Sequence, residues 1–315
     1  MEAATTSARR AAPGASALGA ASPRYGELVI KALLFGAALI SVLTTVGIVL
    51  SLLHETLAFF AEVPIVSFLT GVEWSPLFAD PQFGVLPLIG GTLLITAIAL
   101  VVAIPLGLGS ALYLSEYAKP RTRRTLKPVL EVLAGIPTIV FGYFALTFFT
   151  PIVLRDLLGM EVQVFNALSA GIVMGFMVLP TIASVAEDAM SAVPASLREG
   201  AFGLGASKLQ VSLRVVFPAA LSGIVAAVVL GISRAIGETM IVLVAAGQVP
   251  RLAIDPRDAY ATMTAFIAAT GKGDVPTGSI GYKTIFAVGA TLFVLTLIMN
   301  AISIRFVRKY RQVYE

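Results

Sequence analysis

The sequence predicts an all-α, polytopic membrane protein with six transmembrane helices, and two observations carry that prediction. Hydrophobic residues make up 57% of the chain and charged residues only 13%, with a mean hydropathy of +0.92; a soluble domain carries about 25% charged residues. Apolar runs long enough to cross ~30 Å of hydrocarbon recur along the 315 residues. Within lipid only helices or closed barrels satisfy their backbone groups, and these runs are too continuous for barrel strands of about ten alternating residues. Spans are expected at about 28–53, 86–115, 129–153, 164–187, 216–246 and 284–304. Residues 1–27 are mostly Ala, Gly, Ser, Thr and Pro, with Arg9, Arg10 and Arg24. Such a composition builds no core, so it reads as a disordered tail ahead of a membrane domain over 28–312. No apolar run follows Arg9-Arg10 directly, which argues against a cleaved signal.

Along the spans, Pro105, Pro137 after Gly135, Pro180, and Gly231 with Gly237 are expected to loosen the helices that hold them. Orientation follows from the cations. Sixteen of the 22 Lys and Arg fall in the N-terminal tail, the second-to-third loop (Lys119 to Lys127), the fourth-to-fifth loop (Arg198, Lys208, Arg214) and the C-terminal tail. No Lys or Arg lies between Lys31 and Lys119. The positive-inside bias therefore puts both termini in the cytoplasm. There is no cysteine, and one histidine, His54, at the end of an apolar run. Disulfides, thiolate metal sites and a His-based triad are excluded, no acids cluster, and no catalytic constellation emerges. An enzyme is not expected. Gly278 to Thr284 looks like a phosphate loop until Tyr282 stands where glycine is required.

The fourth-to-fifth loop, about 188–215, is too long for a tight hairpin. Pro194 with Ser196 predicts a helix start and Gly205 a stop, with Leu197, Ala201 and Leu204 at helical spacing. The residues alone leave open whether the apolar side of this short helix lies on the bilayer, on the chain's own helices or on a partner. Glu199-Gly200-Ala201, three residues, Gly205, nine residues and Val215-Val216-Phe217-Pro218 resemble the EAA loop of ABC importer permeases, with Gly200, Val215 and Phe217 as small or apolar departures. The resemblance implies the fold of a type I ABC importer permease, whose cytoplasmic coupling helix sits in a groove of the ATPase, and assigns that contact to Glu199, Gly200, Ala201 and Gly205.

Further stretches narrow it: Glu73 to Pro76, Phe83 to Thr92, Tyr113 to Ala118, Leu133 to Thr138 and Ser233 to Met240. Together they are similar to the phosphate-specific permeases, and Met240 favours the PstC member over PstA. The resemblance implies the transmembrane subunit of an ATP-driven phosphate importer in the bacterial inner membrane. It would form half of the translocation pathway, with a PstA-like second permease, two PstB-like ATPase subunits and a periplasmic PstS-like phosphate-binding protein. The remaining partner is membrane lipid, and no nucleic acid is expected. No cofactor is expected in this chain, since ATP would bind the partner.

Arg234 and Glu238 are the opposite charges well inside an apolar helix, where each costs ~2.5–3.5 kcal/mol on insertion scales. Spaced i and i+4, they are expected on one helical face, as a self-neutralising pair or as a substrate pathway in which the Arg234 fork meets phosphate oxygens. The small-residue ladder Ala219, Gly223, Ala227, Gly231 and Ala235 is expected to admit a close helix, as from the partner permease. Glu131 is expected to pair with the basic cluster Arg121 to Lys127, and Glu187 with Asp188 to help place the fourth-to-fifth loop. Two other readings stay open: a permease for another oxyanion, and an ion-gradient-driven secondary transporter.

Overall fold

The structure, a computed structural model, describes residues 25–310, with side chains described for 26–305. The expected tail lies outside the described residues as far as 24, and the first helix already begins at Tyr25. Every regular element among the described residues is helical, apart from one antiparallel bridge between Trp74 and Phe83.

The chain forms two units, Met1–Ser51 and Leu52–Glu315. Helix α1 (Tyr25–Phe60) runs out of the first. There its apolar side chains, Leu33, Phe35 and Ile40 among them, are exposed, which is no liability in hydrocarbon as apolar as leucine. The second unit begins with the last turns of α1, where Phe59 is buried and the Thr56 hydroxyl donates to the Phe286 carbonyl at 3.1 Å. Then come α2 (Ile65–Thr70), α3 (Leu86–Tyr117), α4 (Pro120–Ala134), α5 (Thr138–Leu157), α6 (Ala167–Ser191), α7 (Ala195–Gly203), α8 (Lys208–Ala219), α9 (Leu221–Ile236), α10 (Met263–Lys272) and α11 (Ile280–Tyr310). Helices α1, α3, α5, α6 and α11 are each long and apolar enough to span a membrane, and α8 with α9, bent by 73° at the break between them, are together long and apolar enough for a sixth.

Two spans depart from expectation. The third does not run from 129. Pro137 sits at ψ 132° and supplies no N–H, and residues before proline are driven out of the helical region, so the ladder stops at Ala134. A separate basic amphipathic helix, α4, precedes the span α5. The fifth span is broken twice. It bends at Ala220, two residues past Pro218, and ends at Ile236, after which the chain resumes a helical course only at Met240.

Small residues set the core. A Cβ on Gly175 of α6 would lie 2.8 Å from the Ala99 carbonyl oxygen of α3, so only glycine lets these two helices approach so closely. Ala99 and Ala103 are fully buried there with Met174, Met177 and Val178. The ladder on α9 meets α6 as well: Gly223 faces Ala189, and Gly231 faces Ile182 and Val178. The close neighbour is thus this chain's own fourth span, not a partner permease. Small side chains announce a close approach without saying which helix makes it.

Candidate functional site

Arg234 and Glu238 do not share a helical face, because the ladder of α9 ends between them. No ion pair within 4.0 Å joins them. Arg234 Nη1 donates to Thr181 Oγ1 at 3.0 Å, a neutral partner on α6 one residue past Pro180. Glu238, only 8% exposed, turns the other way. Its Oε1 accepts from the Met240 and Ile241 amides at 2.9 and 3.2 Å, capping the half-helix that resumes the span. The Glu238 carbonyl accepts from Thr264 Oγ1 at 2.7 Å, fixing the break to α10. The carboxylate is thus held by amides whose helical acceptors the break removed. Among the described residues no carboxylate lies within 4.0 Å of the Arg234 guanidinium.

Helix α7 begins after Pro194 and ends at Gly203, and Gly205 turns the chain at φ +80°, a conformation that favours glycine. Ser207 and Gln210 close the next helix start with reciprocal hydrogen bonds, a capping box. Leu197 and Ala201 pack inward against Val193, Val211 and Val216. Leu204 does not join them, being 91% exposed, with Phe202 also exposed. Helix α7 stops one residue earlier, and Leu204 leaves its inner face. Glu199 and Gly200 are on the exposed side.

Arg198 turns inward. Its Nη2 donates to Glu116 Oε1 at 2.9 Å and to the Met190 carbonyl at 2.8 Å, and its Nη1 to the Val193 carbonyl. Nearby, Glu187 is 1% exposed and holds Arg123, Lys127 Nζ at 2.8 Å and Ser191 Oγ at 2.9 Å; Asp188 takes Lys127 at 2.5 Å. The two carboxylates raise the Lys127 ammonium above its ordinary pKa, Asp188 more than Glu187. Glu187 and Asp188, expected to help place the fourth-to-fifth loop, instead tie this end of α6 to α4. Glu131 makes no ion pair within 4.0 Å and is exposed on α4; it stands one turn from Lys127 and lines the same cleft, but Lys127 turns to Glu187 and Asp188 instead.

At the opposite end of α6, Asn166 caps the helix by accepting from the Ser169 amide at 2.7 Å. The 255–258 loop covers the same terminus, with the Asp258 and Pro256 carbonyls accepting from Ala167 and Leu168. A cleft of about 700 Å³ opens there, walled by Arg155, Glu161, Asp255, Arg257 and Asp258. Hydrogen bonds from the Arg257 side chain, and then its backbone, hold the Asp255 carboxyl down at about 2. A second cleft of about 520 Å³ brings Trp74 to Phe78 against Phe266 to Val275.

The model of the binding-protein-dependent transport system inner membrane component family matches residues 103–312, from the middle of α3 through α11. The chain belongs to that family. It is a multi-pass inner-membrane transport subunit with the all-helical fold of ABC importer permeases. The Bacillus subtilis probable ABC transporter permease protein YqgH is 35% identical over 291 residues, covering 91% of each chain. The Mycobacterium tuberculosis phosphate transport system permease protein PstC 1 is 37% identical over 278 residues, covering 77% of this chain and 81% of that one. Among solved structures, a bacterial ABC transporter that imports alginate aligns over 91% of this chain and 99% of that chain, with a TM-score of 0.63 at 15% identity. The inward-facing MetNI methionine transporter covers 73% and 95%, with a TM-score of 0.54 at 21% identity. These two show the fold. Within this permease, sequence reasoning missed Thr181, Glu116 and the partners of Arg198. Thr181 carried no signal, whereas Glu116, an acid among apolar residues at a span end, carried a weak one.

Proposed function

We propose that this chain is the PstC-like permease subunit of an ATP-driven phosphate importer, with both termini in the cytoplasm. It forms half of the pathway with a PstA-like second permease. The exposed side of α7, with Glu199 and Gly200, and the turn at Gly205 that follows it meet one of two ATPase subunits, with Ala201 on the inner side of the same helix seating it on this chain. A phosphate-binding protein docks on the opposite face, where the 73–83 and 250–282 stretches come together. The chain needs no cofactor of its own, and ATP acts on the partner.

One observation carries the reading: Arg234 sits inside a span with a neutral hydroxyl as its hydrogen-bond partner. An uncompensated guanidinium there is costly, and an anion offsets that cost as it leaves water. Thr181 occupies one of the five N–H donors of Arg234, which leaves the planar fork for phosphate oxygens. Glu238 contributes differently. Its Oε1 is committed to backbone amides, while Oε2, which accepts no hydrogen bond among the described residues, accepts one from the hydroxyl of a hydrogenphosphate. Sulfate carries no such proton at neutral pH. The names of the PstC relatives support the same substrate.

The test is binding-protein-stimulated ATP hydrolysis by the reconstituted four-component complex. Stimulation by a phosphate-loaded binding protein and not by an unloaded one supports the proposal. Stimulation by a sulfate-specific binding protein in its place would move the chain to another oxyanion.

A further inference from the structure

We infer that Arg198 and Glu116 form a strut through which a displacement of α7 moves α3 and α6 together, making both of them positioning residues for transport. This rests on α7 being the ATPase contact, and it concerns the face of α7 that the ATPase would not touch.

Glu116 lies in the last turn of α3, a widened π-helical turn in which the Ala118 amide reaches back to the Tyr113 carbonyl at 2.8 Å. Its side chain is 7% exposed and that of Arg198 is 20% exposed. The Arg198 Nε at 3.3 Å and Nη2 at 2.9 Å both reach Glu116 Oε1. The same guanidinium donates to the Met190 and Val193 carbonyls at the end of α6. Final carbonyls of a helix have no full complement of donors inside it; here the Met190 carbonyl takes the Val193 amide at 3.3 Å and the Arg198 guanidinium at 2.8 Å, so a cation from α7 reinforces this end. One rigid, planar group therefore ties α7 to two spans at once. A lysine ammonium has no comparable fork.

From the other side, α4 grips the same end of α6 through Arg123 and Lys127 on the buried Glu187. Helix α6 is thereby held between α4 and α7 and has little freedom to move without α7. It also packs on α3 at glycine-limited distance, so the two spans shift as one body. Thr181, which holds Arg234, lies nine residues further along α6, about 14 Å at ~1.5 Å per residue. Motion of α7 thus has a continuous rigid route to the pathway cation, through groups already bonded to each other. Simple anchoring of the loop would affect assembly and stability. A strut affects how much transport each ATP drives.

The experiment reconstitutes the full complex in liposomes and measures phosphate moved per ATP hydrolysed for Arg198→Gln, Glu116→Gln and the double variant. Each single variant is expected to assemble, to hydrolyse ATP and to move about tenfold less phosphate per ATP, the scale of an ordinary coupling free energy between sites. The double variant should be no worse than the poorer single, because both remove one link. Unchanged ratios, or losses that multiply in the double, would overturn the strut. Should Arg198→Gln fail to assemble, Arg198→Lys replaces it; full recovery of the ratio by that variant would equally overturn the proposal, since lysine keeps charge without the three-way fork. Glu199→Lys, on the exposed side of α7, separates the two levels. If it disrupts coupling while the Arg198 and Glu116 variants do not, the strut fails and the ATPase contact stands. If Glu199→Lys leaves ATPase copurification and coupling intact, the contact reading itself fails.

Discussion

Replacing Arg234 by Gln distinguishes a pathway cation from half of a structural ion pair, because the two predict opposite stability effects. Had Arg234 and Glu238 been paired, removing the arginine would strand a buried carboxylate at a cost of about 3–5 kcal/mol. In this structure Glu238 is satisfied by the Met240 and Ile241 amides, and Arg234 loses only one hydrogen bond to Thr181. That loss is worth about 0.5–1.5 kcal/mol, or up to about 3 for a charged donor, and relief of an uncompensated cation offsets it. Arg234→Gln should therefore leave the thermal midpoint nearly unchanged while abolishing phosphate uptake. Glu238→Ala reverses the pattern: one buried and one part-buried amide lose their acceptor, at up to about 1–3 kcal/mol each, so the complex should be clearly destabilised. Glu238→Gln keeps an amide oxygen as acceptor and should fall between. The assay is thermal unfolding of the purified complex alongside phosphate uptake in proteoliposomes. If Arg234→Gln destabilises as much as Glu238→Ala, or transports normally, the reasoning is refuted.

Four further outcomes follow from the geometry. Gly175→Val should lower the thermal midpoint by overpacking α3 against α6, about 1–3 kcal/mol or more, whereas Gly109→Ala, with nothing within 4 Å of its Cβ, should be neutral or stabilising; equal effects would contradict the glycine-limited contact. Gly205→Asp, forced to φ +80°, should leave the chain inserted but weaken copurification of the ATPase, and undiminished copurification would count against α7 as the contact. Asp255 has a folded pKa depressed from 3.8 to about 2, so its pairing with Arg257 is present above the unfolded value and lost only as pH falls toward the folded one. Asp255→Asn should accordingly change binding-protein stimulation by the same factor at about pH 5 and about pH 8, and an effect confined to the acid end would be inconsistent with that. In this cysteine-free chain, Ser279→Cys should react with an impermeant maleimide in spheroplasts and Ser207→Cys should not; the reverse pattern would invert the topology.

Much of the fold was legible because spanning helices are set by hydrophobic length. The runs that became α3, α6 and α11 lie within a few residues of their expected bounds. The failures fall where a local backbone term overrides hydropathy. At Pro137 the ladder breaks although the apolar residues continue, so the third span starts later and α4 separates. At Gly237 to Thr239 the chain remains apolar enough to read as helix, yet Glu238 caps a new one. That break dissolved the expected i, i+4 relation with Arg234, which had been drawn from spacing alone. The local form of the fourth-to-fifth loop fared better, since Pro194 and Gly205 act through their own φ angles and need no tertiary information. What no pattern could supply was the identity of long-range partners: Thr181 for Arg234, Glu116 for Arg198, and α6 rather than a second permease for the small-residue ladder.

The central claim is tested most directly by phosphate uptake into proteoliposomes that hold the complete complex, with ion gradients collapsed by ionophores. Uptake should require internal ATP together with external phosphate-loaded binding protein, persist without any gradient, and vanish for Arg234→Gln in an assembled complex. Uptake that follows an imposed ion gradient without ATP, or that survives Arg234→Gln, would contradict it.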